Sequence, residues 1–117
     1  MEQWTIYYNA QCGSCQKALK ILNEKGIQPT IVEYLKNPPS LKDLNSLLRK
    51  LRVPPMEIIR AKEPAFEKLK LGQGEKSRKD LLRAISENPV LLQRPIVVRG
   101  HTGAIIARPP EKVLELF

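Results

Sequence analysis

Two cysteines stand three positions apart near the N-terminus, in the stretch Cys12-Gly13-Ser14-Cys15. This C-x-x-C spacing is typical of thiol–disulfide chemistry when it lies where a strand passes into the helix of a βαβ unit. A thiol in the first turn of a helix faces unpaired backbone N–H groups and the positive end of the helix dipole, and both favour the thiolate. Cys12, which precedes the helix in a polar loop, is therefore predicted to be a nucleophile.

The second cysteine, Cys15, allows two interpretations. It falls on the apolar stripe of the predicted helix with Ala18 and Leu22, where a small hydrophobic side chain packs well. It is equally well placed to be a resolving thiol for Cys12. We expect no metal, because a four-coordinate zinc site needs two more ligands and the chain offers only His101 besides carboxylates. His101 lies between glycines and is expected to be a turn residue.

Three arginines lie at the boundaries of predicted elements. Arg60 ends a short apolar helix, Arg94 stands directly before Pro95, and Arg108 directly follows the last strand. Any single arginine is more often a surface residue. Three that converge on a thiolate would bind a tetrahedral oxyanion through forked, charge-assisted hydrogen bonds. Spacing along the chain does not establish that convergence.

The first third of the chain predicts a βαβ unit. Residues 3–8 mix aromatic and β-branched side chains as a strand does, and a helical pattern begins at Ser14. Gly26 is placed to end that helix in left-handed geometry. Residues 30–34 then predict a second strand, which the helical crossover makes parallel to the first.

The middle of the chain is predicted to be helical and basic. Ser40 with Asp43, and Ser77 with Asp80, form two S-x-x-D capping signatures ahead of apolar helical patterns. Shorter helical pieces are expected between them. This helical segment therefore separates the βαβ unit from the last third of the chain.

The last third predicts two antiparallel strands and a closing helix. Residues 96–98 and 104–107 are apolar, strand-sized runs separated by a hairpin connection. Pro109 and Pro110 are placed to start a last helix, which carries Val113, Leu114 and Phe117.

The resulting order, β-α-β, helical segment, β-β-α, resembles the thioredoxin-like plan. We therefore predict an α/β fold with one mixed four-stranded sheet, as a single domain of residues 1–117 with a helical insertion at about 40–90. In that plan a proline beside the catalytic loop precedes the third strand. Arg94, which precedes Pro95, is therefore expected to approach Cys12.

Composition limits the classes of partner. The net charge of +8 suggests an anionic partner, and 12 Lys or Arg against 6 Asp or Glu lie between Lys42 and Arg83. No basic run is interleaved with aromatic side chains, so a solvated basic surface is favoured over nucleic-acid binding. No apolar run is long enough for a membrane span, and Glu2 stands where a signal peptide needs positive charge. We expect a cytoplasmic protein.

Together these residues resemble the ArsC-like arsenate reductase family that works with glutathione and glutaredoxin, a thioredoxin-like branch related to Spx-type redox regulators. The resemblance covers nearly the whole chain, and the stretch 88–98 is its most specific motif. The other matching stretches are 6–9 with Cys12, 34–39, 59–63 and 107–114.

The resemblance implies an enzyme, an oxidoreductase that reduces arsenate to arsenite. Cys12 would attack arsenate, and Arg60, Arg94 and Arg108 would bind and polarise the oxyanion. Glutathione would be a co-substrate and glutaredoxin a protein partner, with no metal and no bound cofactor. We expect it to act as a monomer.

Two positions differ from the family pattern. Tyr8 stands where the family often has a histidine, and Cys15 stands where arsenate reductases of this branch usually lack a thiol. Spx-type regulators carry C-x-x-C here and use it as a disulfide switch. Two alternatives therefore stay open: an Spx-type redox-switch regulator, and a general dithiol–disulfide oxidoreductase in which Cys15 resolves the Cys12 disulfide.

Overall fold

The structure is a computed structural model that describes residues 2–74, 76–101 and 103–117. The chain divides into two compact units. One contains the chain up to Asn37 together with Arg94–Phe117, and the other is Pro38–Gln93. The single domain expected from the sequence stays a prediction.

The first unit is built on a four-stranded sheet with the order β2-β1-β3-β4. The central strand β1 pairs in parallel with β2, and Ile6 lies opposite Ile31. It pairs with β3 in the antiparallel sense, with Ile6 opposite Val97, and β3 continues into an antiparallel β4. The mixed sheet confirms the predicted α/β pattern. The strands are β1 (Trp4–Tyr8), β2 (Thr30–Glu33), β3 (Ile96–Arg99) and β4 (Gly103–Ile106).

Helix α1 (Gly13–Glu24) connects β1 to β2. Gly26 has a φ of 82°, and the backbone N–H of Ile27 donates to the carbonyl of Leu22 at 2.9 Å. This is the left-handed ending predicted from the glycine, and it satisfies a carbonyl of the last turn. Helix α1 starts immediately after Cys12, its N-cap residue. Its left-handed ending turns the chain back toward β2.

The core of the first unit lies between α1, the sheet and the C-terminal segment. Its buried members include Ile6, Leu22 and Val97, each with no exposed surface. Trp4 is also buried, and its ring stacks on Phe117 with 5.0 Å between the centroids. Fully burying an aliphatic side chain of this size contributes about 1.5–3 kcal/mol, so these contacts fix α1 and its first turn against β1.

The second unit is helical. Both predicted capping boxes are present: Ser40 accepts from the backbone N–H of Asp43 at 3.1 Å, and Ser77 from that of Asp80 at 3.0 Å. Arg52 follows the first of these helices in left-handed geometry, with a φ of 59°. The α-helices are α2 (Leu41–Leu51), α3 (Pro64–Lys68) and α4 (Arg78–Glu87), and the 3-10 helices are Pro55–Ile58 and Pro89–Leu91.

The closing segment differs from the prediction, because Pro110–Leu116 is a 3-10 helix and not an α-helix. Apolar side chains three positions apart share a face in both helix types, so the spacing did not distinguish them. Gly100, with a φ of 53°, lies in the predicted hairpin turn; Thr102 of that connection is outside the described residues. Among the described residues, no helix is long and apolar enough to cross a membrane.

Candidate active site around Cys12

Cys12 stands at the junction between β1 and α1, in a loop held by its own backbone. The Cys12 N–H donates to the carbonyl of Asn9 at 2.9 Å, and the Gln11 N–H donates to Oδ1 of Asn9 at the same distance. Gln16 Nε2 adds a hydrogen bond to the Ala10 carbonyl at 2.7 Å. Cys12 is the N-cap residue of α1, in extended geometry, and is 7% exposed. The loop therefore presents the thiol at the N-terminus of the helix, as predicted.

The surroundings of Cys12 favour its thiolate. Burial raises the pKa of the thiol, but the backbone N–H and the thiol of Cys15, together with the Arg94 guanidinium, outweigh burial and hold the pKa below its ordinary value. The helix N-terminus supplies the N–H groups, and the arginine supplies the positive charge. Cys12 is therefore an activated thiol on geometric and electrostatic grounds.

Cys15 is fully buried on the inward face of α1, with Ala18 and Leu22. Burial is the largest cause that raises the pKa of its thiol, and the neighbouring Cys12 adds to it, so the pKa rises to about 12. The two thiols are both free. Cys15 therefore packs in the core side of α1, as a small hydrophobic side chain would. Its role as a resolving thiol stays a prediction.

Arg94 and Arg108 lie together in the first unit. Arg108 Nη1 donates to the backbone carbonyl of Arg94 at 3.2 Å. The Nε atom of Arg94 is buried and, among the described residues, has no hydrogen-bond partner. Arg94 is close enough to Cys12 to lower its pKa. The structure therefore brings Arg94 to the thiol and Arg108 to Arg94; their role in binding an anion stays a prediction.

Arg60 lies in the second unit, just after the 3-10 helix Pro55–Ile58. Its Nη1 atom forms an ion pair with Oε1 of Glu63 at 2.7 Å, and its backbone N–H donates to the Leu91 carbonyl at 2.7 Å. These contacts fix Arg60 within its own unit. Its convergence on Cys12 stays a prediction.

Two polar residues beside the thiols were not singled out from the sequence. Asn9 holds the loop, and an Asn directly after a strand is a signal for such a turn. Tyr34 follows β2, is fully buried, and its hydroxyl has no hydrogen-bond partner among the described residues. Burial raises the pKa of Tyr34 to about 12, and the Arg94 charge offsets this only in part. In the sequence Tyr34 is an aromatic residue at the end of a predicted strand, and this pattern does not indicate that its hydroxyl lies beside Cys15.

The structure also places His101 and Tyr8. His101 is exposed and lies in the β3–β4 turn, as expected of a turn residue. Tyr8 is half-buried and packs against the core cluster of the first unit. No group of three or more His, Cys, Asp or Glu side chains within residues 2–74, 76–101 and 103–117 is arranged to hold a metal ion.

A model of the ArsC family matches residues 7–116. The chain belongs to the ArsC family. This ArsC-family chain is 40% identical over 113 residues to the arsenate reductase of Rhizobium meliloti (strain 1021), covering 97% of the chain and 80% of the relative. It is 38% identical over 116 residues to the protein YfgD of Escherichia coli (strain K12), covering 98% of the chain and 97% of that protein.

A solved structure carries the same fold as this ArsC-family chain. The arsenate reductase from Vibrio cholerae superposes with a TM-score of 0.94 at 35% identity, covering 99% of the chain and 98% of the other. The thioredoxin-like α/β fold predicted from the order of elements is therefore confirmed.

Proposed function

We propose that this protein is an arsenate reductase in which the Cys12 thiolate attacks the oxyanion. The observation that carries the proposal is the pairing of an activated thiol with a nearby arginine. Burial raises the pKa of Cys12, but Cys15 and Arg94 lower it by more than burial raises it. Nε of Arg94 is buried without a partner among the described residues. A buried N–H donor without a partner costs about 1–3 kcal/mol, which a bound oxyanion would offset.

The oxyanion binds to arginine side chains. Arg94 and Arg108 come from the first unit, where Nη1 of Arg108 donates a hydrogen bond to the backbone carbonyl of Arg94. Arg60 is proposed as a further anion-binding residue on the resemblance to the ArsC family alone. Guanidinium groups match the oxygens of a tetrahedral anion with paired N–H donors, and their charge allows an anionic thiolate to approach.

The reaction needs two electrons to take As(V) to As(III). The Cys12 thiolate displaces one arsenate oxygen, which leaves as water after protonation, and forms a sulfur–arsenic bond. A glutathione thiol then gives up its proton to the departing arsenic oxyanion and bonds to the Cys12 sulfur, while the sulfur–arsenic bond breaks and its electron pair goes to arsenic. As(III) leaves as arsenite, and the two sulfurs end as a mixed disulfide. Glutaredoxin cleaves that disulfide by thiol exchange and returns the Cys12 thiolate.

The partners follow from that sequence of steps. Glutathione is a co-substrate and glutaredoxin is the resolving partner, with no metal and no bound cofactor. The cytoplasm is the compartment proposed, because thiols are kept reduced there. Support comes from relatives that are named arsenate reductases and match 97% of the chain or more. A monomer is sufficient, because the proposed residues all belong to one chain.

A second function is favoured by the two adjacent thiols. A general dithiol–disulfide oxidoreductase would use Cys12 as the attacking thiol and Cys15 as the resolving thiol, and would take no arsenate. An oxyanion site has no purpose in that reaction, so the positions of Arg94 and Arg108 favour the reductase.

The deciding experiment is NADPH consumption with the purified protein, glutathione, glutaredoxin, glutathione reductase and arsenate. We expect arsenate-dependent turnover that is lost in a Cys12→Ser variant. Arg49→Gln, on the exposed face of α2, is the matched control for loss of one positive charge and should keep full turnover.

Two outcomes would contradict the reductase. Turnover that continues at the same rate without arsenate, with a small disulfide as substrate, would support the dithiol oxidoreductase. No turnover with any thiol donor would remove both enzymatic functions.

A further inference from the structure

Two buried side-chain polar atoms have no hydrogen-bond partner within residues 2–74, 76–101 and 103–117. They are the hydroxyl oxygen of Tyr34 and Nε of Arg94. Buried polar groups in folded proteins are almost always paired, so each exception calls for a physical reason. The Nε–H of an arginine is a donor, and a tyrosine hydroxyl accepts as well as donates. The two atoms therefore complement each other as donor and acceptor.

The register of the sheet places these two residues on either side of the loop that carries Cys12. Strand β1 pairs with β2 on one side and with β3 on the other. The register of both pairs, continued one residue past Tyr8, sets Tyr34 on one side of Asn9 and Arg94 on the other. The Asn9 carbonyl accepts the backbone N–H of Cys12 at 2.9 Å. Tyr34 and Arg94 thus flank the residue that closes the turn before the thiol.

The charge of Arg94 also reaches the Tyr34 hydroxyl. Burial raises the pKa of this hydroxyl to about 12, and the Arg94 charge is the next largest influence and lowers it. The Asn9 amide faces the same hydroxyl, but Asn9 is only half-buried, so water can solvate it. Nε of Arg94 is buried away from water. Arg94 is therefore the neighbour that depends on the hydroxyl for a partner.

We propose that Tyr34 is a positioning residue for Arg94, whose Nε–H donates to the Tyr34 hydroxyl when an oxyanion bound beside Cys12 draws the guanidinium into place. The inference rests on the proposed function in taking Arg94 as an anion-binding residue. Tyr34 is fully buried, so it acts through the guanidinium and touches neither the anion nor the reacting sulfur.

A fixed guanidinium binds an oxyanion better than a mobile one, because less side-chain freedom is lost on binding. The hydrogen bond from Arg108 holds the backbone carbonyl of Arg94 and leaves its guanidinium unfixed. A partner for the buried Nε fixes the inner end of the guanidinium and leaves its Nη atoms for the anion. Because the hydroxyl keeps its proton at neutral pH, it leaves the positive charge of Arg94 uncompensated, as a carboxylate would not.

The experiment measures how much arsenate is needed to protect Cys12 from alkylation by iodoacetamide at pH 7 in the full chain. Chloride keeps the ionic strength constant, and labelled peptides are identified by mass. Glutathione is left out, so the readout needs no turnover. Tyr34→Phe removes the hydroxyl and keeps the ring. We expect this variant to raise the arsenate concentration for half-protection about 3- to 10-fold, the loss typical of one neutral hydrogen bond.

A double-mutant cycle shows whether the hydroxyl acts through Arg94. Lysine keeps the positive charge but has a carbon where arginine has Nε. Tyr34→Phe should therefore have no further effect on half-protection in an Arg94→Lys background. In an Arg49→Gln background, which loses an exposed charge on α2, Tyr34→Phe should keep its full effect. Urea unfolding of each variant at pH 7 checks that the chains compared are folded.

Equal half-protection concentrations in the parent chain and in Tyr34→Phe would overturn the inference. An effect of the same size in the parent and in the Arg94→Lys background would also overturn it. Either result, with arsenate-dependent turnover intact, would leave the reductase in place. The expected pattern of protection without any turnover would keep the positioning role and reject the reductase. A parent chain that arsenate does not protect at all would overturn both.

Discussion

Arg108 donates a hydrogen bond from Nη1 to the backbone carbonyl of Arg94, with 3.2 Å between the two atoms. The two arginines flank strands that are neighbours in the sheet, since Arg94 precedes β3 and Arg108 follows β4. Antiparallel pairing of Ile96 with Ile106 brings these ends to the same edge. The backbone of a hairpin therefore brings Arg94 and Arg108 side by side, and the hydrogen bond ties the Arg108 guanidinium to the Arg94 backbone.

Loss of the Arg94 guanidinium should weaken both the thiolate and anion binding. We expect Arg94→Gln to lower kcat/KM for arsenate about 10- to 100-fold, because a hydrogen bond to a charged group contributes about 1.5–3 kcal/mol. The same variant should raise the pH midpoint of Cys12 alkylation. Burial raises the pKa of the Cys12 thiol, and the variant removes the Arg94 charge that lowers it.

Arg94→Lys separates charge from geometry in this test. Lysine keeps the positive charge but not the forked donors, so it should restore the alkylation midpoint more fully than it restores kcat/KM. Equal loss of turnover in Arg94→Gln and in the exposed Arg49→Gln would contradict a specific role for Arg94.

Arg52 should tolerate replacement by glycine better than by alanine. It follows α2 with a φ of 59°, and its N–H donates to the Leu48 carbonyl at 2.8 Å. An L-residue in left-handed geometry costs about 1 kcal/mol relative to glycine. Both Arg52→Gly and Arg52→Ala remove the exposed guanidinium, so urea unfolding should find the glycine variant more stable by roughly that amount. Equal stability of the two variants would contradict this expectation.

Local patterns predicted the elements because the signals for them are local. Both capping boxes, the glycine ending of α1 and the parallel pairing of β1 with β2 depend on a few neighbouring residues, or on a connection that admits one solution. The place of Cys12 at the N-terminus of α1 was predicted for the same reason, since a thiol before a helix in a βαβ unit meets backbone N–H groups wherever the rest of the chain lies. The 3-10 form of Pro110–Leu116 was missed because its apolar spacing suits either helix type.

The rest of the site depends on contacts between segments far apart in sequence. Tyr34 and Arg94 lie beside the thiols because β2 and β3 flank β1 in the sheet. The residues next to Tyr34 and Arg94 in the sequence do not indicate this proximity. The Tyr34 hydroxyl lacks a partner among the described residues because of how the chain packs around it. A tyrosine at the end of a predicted strand does not indicate such packing. Arg60 belongs to the other unit, and periodicity within that unit does not say what it faces.

The capping box of α2 should stabilise the helical unit. Ser40→Ala removes the acceptor of the Asp43 N–H, so we expect the free energy of unfolding to fall by about 1 kcal/mol. Ser40→Asn is the matched control, because its amide oxygen can accept the same bond and should keep most of the stability. Urea unfolding followed by circular dichroism measures both variants; an alanine variant as stable as the asparagine one would contradict the capping role.

Because Tyr34 is buried, the free energy of unfolding should fall at alkaline pH. Burial raises its pKa in the folded protein to about 12, and a tyrosine in the unfolded chain ionises at about 10. Above pH 10 the unfolded chain therefore releases a proton that the folded protein retains, so stability falls as the pH rises toward 12. Cys15, with its pKa raised by burial to about 12, contributes a loss of the same sign that begins near pH 9.

A Tyr34→Phe variant isolates the tyrosine part, because it retains Cys15. At pH 7 the variant should be as stable as the parent chain or more stable, since it removes a buried hydroxyl that has no partner within the described residues. Between pH 10 and 11 its free energy of unfolding should fall less steeply than that of the parent. Urea unfolding at each pH, followed by the fluorescence of the buried Trp4, the one tryptophan of the sequence, measures both slopes. Parallel slopes would mean that the folded protein releases the Tyr34 proton as readily as the unfolded chain does.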